Sequence, residues 1–256
     1  MKRILTACMC LLILATTLTA CAPAKKDQFV VGFDQEFPPM GFVDESGAYV
    51  GFDLDLAKEV AKRLDMEFVP QPIAWESKDQ ELASGNIDCV WNGFTMNKRE
   101  DKYTWTTPYM NNDQIVLVNS ASGITTLADL SGKIVCVQKD SSGLAALNDN
   151  PELLKSFEKL VQVDSYLNAK MELEAGAVDA VVMDKIVAYY QIGAANSDFM
   201  ILDESVSEEQ YGVGFFLGNT ELRDKVQKAL EEMAADGTLA KISNDWFQED
   251  ITTIGK

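Results

Sequence analysis

The chain has no histidine. It therefore lacks the commonest general base near neutral pH and the commonest side-chain metal ligand. Neither a metal nor a cofactor is expected. Positive charge is also scarce: 22 Lys and Arg stand against 40 Asp and Glu, a formal charge of −18 at pH 7. Such a surface repels phosphate backbones, which argues against nucleic acid as a partner. Cysteine is sparse, five in 256 residues. Cys8, Cys10 and Cys21 belong to the N-terminal segment; Cys89 and Cys136 sit in apolar runs (IDCVW, KIVCVQ). There, buried free thiols are expected rather than a disulfide. Finally, the one long apolar stretch, at the N-terminus, is broken by threonines and is short of the ~20 residues of a spanning helix.

That stretch reads as a leader. Lys2 and Arg3 precede the apolar run Ile4 to Leu14, and Leu18-Thr19-Ala20-Cys21 closes it with small residues. This is the pattern of an export signal over residues 1–20. The last four residues resemble the bacterial lipobox, which implies lipidation at Cys21 and a membrane anchor; plain cleavage is the alternative. Removal of Lys2 and Arg3 takes the formal charge from −18 to about −20. Residues 21–28 read as a tether.

Beyond it, apolar strand-like runs alternate with helical patterns. FVVGFD and MEFVPQPI read as strands, and EFPPMGF as an extended loop, because each proline biases its predecessor away from helix. Leu56, Ala57, Val60, Ala61 and Leu64 fall at helical spacing, with Asp53 as a suitable N-cap. Strands are expected over 87–91 and 114–119 and a long helix over Thr220–Ala235. The alternation predicts an α/β fold with largely parallel sheets.

One echo stands out. ELASGNIDCVWNG begins at Glu81, and MELEAGAVDAVVMD repeats its pattern 91 residues later, aligning Gly85 with Gly176 and Asp88 with Asp179. Two similar lobes would explain it; a recurrent helix-to-strand turn would too. In open α/β sheets ligands sit at the carboxyl ends of strands, where Asn92-Gly93 and Asp184 fall.

The segments VGFDQEFPPMGFVDESGAYVGFDLDLAKEVAKRL, GNIDCVWNGFTMNKRE, YTWTTPY, LADLSGKIVCVQKDSSG, GAVDAVVMD and MAADGTLAKISNDWF together resemble the extracellular solute-binding proteins of ABC importers, in the cluster that binds polar amino acids. The resemblance covers nearly all of residues 29–247. It implies a two-lobed periplasmic-binding-protein-like (type II) α/β fold with two crossing hinge strands. Lobe 1 would comprise 29–114 and 212–256, and lobe 2 would comprise 115–211, with crossings near Asn112–Val116 and Tyr211–Phe215. It also implies a monomer that binds a free amino acid with a polar side chain, cationic or an amide, and works with permease and ATPase subunits at the outer face of the cytoplasmic membrane, or in a periplasm. No reaction is expected. The rivals are a dehydratase-like cleft enzyme, disfavoured by the missing histidine, and a ligand sensor on the same scaffold.

A buried zwitterion needs both charges paired. By resemblance Arg99 would fork onto the carboxylate. It stands four residues after Thr95, one fewer than in the family, with Lys98 as the alternative. Ser141 and Ser142 would open a helix at the same carboxylate. Asp184, the Gly93 carbonyl and the Thr95 hydroxyl would take the ammonium. Phe37 and Phe52 match positions whose rings sandwich the ligand. Asp34 and Asn92, with Glu36 and Trp91, are candidates for side-chain selection; Glu36 and Glu76 are the spare carboxylates an enzyme would need.

Overall fold

The computed structural model describes residues 27–193 and 198–256. The leader, Cys21 and all but the last two tether residues lie outside the described residues. The chain begins with β1 (Gln28–Phe33), β2 (Glu36–Phe37), β3 (Gly41–Val43), β4 (Tyr49–Val50), α1 (Phe52–Arg63), β5 (Glu67–Pro72), α2 (Lys78–Ser84), β6 (Cys89–Val90), β7 (Thr104–Trp105) and β8 (Met110–Asn119). Then come β9 (Ile134–Gln138), α3 (Ser142–Asp149), α4 (Pro151–Ser156), β10 (Lys159–Val163), α5 (Tyr166–Glu174), β11 (Ala180–Asp184), α6 (Lys185–Ile192) and β12 (Phe199–Ile201). The chain closes with β13 (Ser207–Tyr211), β14 (Gly214–Phe215), α7 (Thr220–Ala235) and α8 (Thr238–Phe247).

Two sheets define two lobes. One has the strand order β5-β1-β6-β14-β7, the other β10-β9-β11-β8-β12, with β13 also paired to β8. The three strands at the start of each order run parallel; β14 and β8 run antiparallel to their neighbours. The sheets are therefore mixed rather than largely parallel. Antiparallel pairing arises where the chain turns back between lobes. It leaves one sheet along β8 and returns between β13 and β14, and the two connecting strands pair side by side, Met110 with Tyr211 and Asn112 with Glu209.

The second sheet is apolar on both faces, as covered sheets are. Val116, Val118, Val135, Val137, Ala180 and Val182 point into one core, and Ile115, Leu117, Cys136, Val181 and Met183 into another. The free thiols of Cys89 and Cys136 are both buried, one in each sheet.

The sequence echo has a structural cause. Asp88 accepts the Val30 N–H (2.7 Å) and Asp179 accepts the Ile134 N–H (2.8 Å), while their own N–H groups donate to the carbonyls of those same residues. In each lobe the aspartate ties the helix-to-strand turn to an edge of the neighbouring strand. Gly85 and Gly176 supply the left-handed step before it, at φ 73° and 70°.

Helix α1 starts one residue before the N-cap expected from sequence. Gly51 is the cap, and Asp53 faces inward instead. Gly51 sits at φ 149°, and a Cβ there would come within 2.2 Å of the Met40 carbonyl oxygen and 2.8 Å of the Gly41 Cα. These are backbone atoms that cannot rotate away. Gly51→Ala is expected to lower stability by roughly 1–3 kcal/mol, read as a lower thermal midpoint by circular dichroism. An unchanged midpoint would mean that the Met40–Gly41 segment yields freely.

Candidate functional site

Side chains two apart on a strand share a face. The face of β8 that sends Val116 and Val118 into a core sends Gln114 and Asn112, at its polar start, into the space between the lobes. On either side of them sits a carboxylate. Asp184, the last residue of β11, lies opposite Gln114, and Glu209 of β13 lies opposite Asn112. Asn112 Nδ2 donates to Asp184 Oδ1 (3.1 Å) and to Glu209 Oε1 (2.6 Å); Gln114 Nε2 donates to Glu209 Oε1 (2.9 Å) and to Ser142 Oγ (2.9 Å). The Tyr211 hydroxyl donates to Asp184. All four amide and carboxylate side chains are buried. Burial, together with the neighbouring Asp184, pushes Glu209 up to about 8.

The first lobe contributes the segment after β6. Gly93 takes a left-handed φ of 55°, and its N–H donates to Asp53 Oδ2 (2.6 Å), which also accepts the Tyr109 hydroxyl (2.8 Å). Asp53 thus anchors this turn from inside the lobe; burial raises it to about 7. The Thr95 hydroxyl reaches across to Glu209 Oε2 (3.0 Å). Arg99 is half-buried. Its guanidinium lies over the Phe94 ring at 5.2 Å and donates to the carbonyls of Thr95 (3.2 Å) and Asp140 (3.4 Å). Facing it is the start of α3, where Ser141 accepts the Leu144 N–H as N-cap and donates to the Gln138 carbonyl. Thr95, Arg99, Ser142 and Glu209 line one pocket of about 290 Å³.

At the other mouth Asp34, Glu36, Trp75, Glu76 and Asp164 line a second space of about 460 Å³. Asp34 accepts Gln138 Nε2 from the other lobe (2.8 Å) and the Glu36 N–H (2.9 Å), and its own N–H donates to Asn92 Oδ1. Burial raises Asp34 to about 6. The Asn92 Nδ2 is buried without a partner. Phe37 faces Tyr166 of α5 across the cleft, ring centres 5.7 Å apart. Lys78, only 2% exposed, pairs with Asp140 of the second lobe.

Asp34, Phe37, Asn92, Gly93, Thr95, Arg99, Ser141, Ser142 and Asp184 are thus gathered between the sheets. Phe52 is not. Its fully buried ring packs on Tyr109 and Phe247 in the lobe core, because it opens α1 and α8 covers that end. Trp75 supplies the aromatic wall at the cleft instead. Trp91 is likewise a core ring, fully buried beside Tyr109. Lys98 is exposed and paired with Asp149. Sequence reasoning missed Glu209, Asn112, Gln114, Gln138 and Tyr166. The polar start of the run NNDQIVLVN was the one local sign of them.

The raised carboxylates set a pH dependence. The folded state holds protons on Asp34, Asp53 and Glu209 more tightly than the unfolded chain does. Their contribution to stability is complete below the ordinary carboxylate values near ~4 and is lost as pH rises through about 6, 7 and 8. The exposed Asp44, Asp129 and Asp236 are lowered by hydrogen bonds and act oppositely, but only on the acid side. The thermal midpoint of ligand-free protein should therefore fall steadily from about pH 5 to about pH 9. A midpoint that rises across that range would contradict the assignment.

Three comparisons bear on this geometry. The family model described as bacterial extracellular solute-binding proteins, family 3, matches residues 29–249. The L-cystine-binding protein TcyJ of Escherichia coli (strain K12) is 30% identical over 234 residues, 89% of this chain and 85% of that protein. ABC transporter arginine-binding protein 1 of the same strain is 30% identical over 256 residues, 97% of this chain and 100% of that protein. Among solved structures, a substrate-binding protein of an ABC uptake transporter from Streptococcus pneumoniae with bound histidine superposes with a TM-score of 0.85 at 34% identity, covering 88% of this chain and 94% of that one.

Proposed function

The chain belongs to the bacterial extracellular solute-binding proteins of family 3, and from that premise we propose that it captures a free polar amino acid between its lobes and hands it to an ABC permease. One observation carries this reading. The cleft sets groups of opposite charge beside one another: a guanidinium by a helix start at Arg99 and Ser142, and a carboxylate pair at Asp184 and Glu209. A zwitterion laid between them has both charges matched, and its stem would lie against Phe37 and Trp75. Capture needs no bond to break. The names of the relatives, which are binding proteins for cystine and arginine, point the same way.

A cationic or amide side chain suits the second mouth. Asp34 is the buried acid there, and Asn92 leaves a donor without a partner. An acidic side chain would meet Asp34 and Glu36. The test is a thermal-shift screen of the common amino acids on purified protein, repeated with Asp34→Asn. Some polar amino acids should raise the midpoint. The substitution should weaken L-arginine about tenfold or more, as loss of one charge partner does, while leaving L-glutamine within a few-fold. No shift with any amino acid, on protein stripped of carried-over ligand, would defeat the reading.

The moving bodies are residues 29–114 with 212–256, and residues 115–211, turning about the paired strands β8 and β13. The Lys78–Asp140 pair, the Asp34–Gln138 hydrogen bond and the Phe37–Tyr166 contact close the cleft. Outside the described residues, Leu18-Thr19-Ala20-Cys21 supports lipid anchoring of a monomer at the outer face of a membrane. A Cys21→Ala form that still fractionates with membranes would refute the anchor.

A further inference from the structure

Glu209 has no part in the pairing just described that Asp184 could not fill alone. Its position nevertheless calls for a role. It lies on a strand that connects the lobes, is 4% exposed, and has both carboxyl oxygens engaged: Oε1 by Asn112 and Gln114, Oε2 by the Thr95 hydroxyl from the other lobe. Asn112 bridges it to Asp184 through a single amide nitrogen. Because Asp184 and Glu209 flank the same strand of one sheet, they stay together whether the lobes are open or shut. Two carboxylates held this close in a buried place are not both ionised without a cation. The Tyr166 hydroxyl is buried against Asp184 and Ser141, which adds a further polar group at the pair.

We propose that Glu209 is a specificity-determining residue that shares a proton with Asp184 in the empty cleft and releases it to solvent when a ligand ammonium docks against the pair. The O–H bond of the carboxyl breaks, the proton passes to buffer, and the ammonium takes its place. Capture then favours ligands with a full positive charge at that end and strengthens as pH rises toward neutrality. The inference rests on the amino-acid-binding reading.

Other titratable and charged groups surround the pair. Tyr166, Tyr211 and Tyr109 are all pushed up by burial. Arg99, Lys98, Asp149 and Glu208 lie at the pocket rim. Asp34 is at the far mouth and titrates lower, near 6; Asp53, near 7, is sealed behind Gly93. Glu209 itself is raised to about 8 by burial and by Asp184.

Isothermal titration of the protein with L-arginine, in buffers of differing ionisation enthalpy, tests this. Wild type should release about half a proton or more near pH 7.5, and its Kd should tighten by up to about tenfold per pH unit between about pH 6.5 and 7.5. Glu209→Gln should release none in that window. Equal release by both proteins, or no release by wild type, overturns the proposal and leaves amino-acid binding intact. A carbon-13 titration of the Glu209 carboxyl in ligand-free wild type needs no variant and no ligand. A carboxyl already ionised at about pH 7 overturns the proposal even if no amino acid binds, whereas failure of every amino acid to bind counts against the functional reading alone.

Discussion

Arg99→Ala is expected to abolish capture of amino acids at micromolar concentration. In the proposed reading Arg99 takes the ligand carboxylate, since Lys98 is exposed and engaged by Asp149. Lys78, another cation near the cleft, is held by Asp140 and the Trp75 carbonyl. Removing the Arg99 guanidinium strands the ligand carboxylate between the closed lobes without a cation. The loss should be roughly 2–5 kcal/mol, about 30- to 5,000-fold in Kd. Arg99→Lys keeps the charge but not the planar fork, and should fall between the two. Stability should change far less, because the guanidinium is half-buried, donates to two carbonyls and lies over the Phe94 ring. Calorimetric titration paired with a melting curve separates the effects. Near-wild-type affinity in the alanine variant would move the carboxylate site elsewhere.

Asp184→Asn should divide affinity from stability even more sharply. Neutralising one member of a buried charge pair costs about 3–5 kcal/mol, and here the lower end is expected. Glu209 remains beside the ammonium and, freed from the repulsion of Asp184, ionises more readily. In the empty protein the same change removes one of two crowded acids. Asn can still accept from Tyr211 and from Asn112, so the ligand-free midpoint should hold or rise. A fall in both affinity and midpoint would mean that Asp184 is a structural residue rather than the ammonium partner.

Much of the scaffold was legible. Helix α7 occupies Thr220–Ala235 as its periodicity predicts, and the strand-end positions of Gly93 and Asp184 follow from apolar runs that stop at a polar residue. Three features were not legible, each for a stated reason. Asp53 has the look of an N-cap, but the neighbouring Gly51 takes that place, and the carboxylate finds better donors in Gly93 and Tyr109. Phe52 stands at a position that the family resemblance assigns to the cleft, but the turn into α1 fixes its ring in the lobe core, where its apolar character alone would place it. Glu209 stands in SEEQY, which reads as a solvated strand. Only the pairing of β13 with β8, about 97 residues away in sequence, buries it. What local periodicity encodes was readable; what long-range strand pairing creates was not.

Cys89 and Cys136, one inside each sheet, turn the two halves of the molecule into separately timed specimens. The reactive form of a thiol is the thiolate. Burial pushes Cys89 well up and Cys136 up to about 11, so neither is attacked while its own sheet is intact. An alkylating reagent added to the folded protein therefore waits on unfolding and records which half let go. Rocking of the lobes leaves both thiols covered. Modification at one cysteine ahead of the other would give the order in which the halves come apart, from unaltered protein and without a single engineered label.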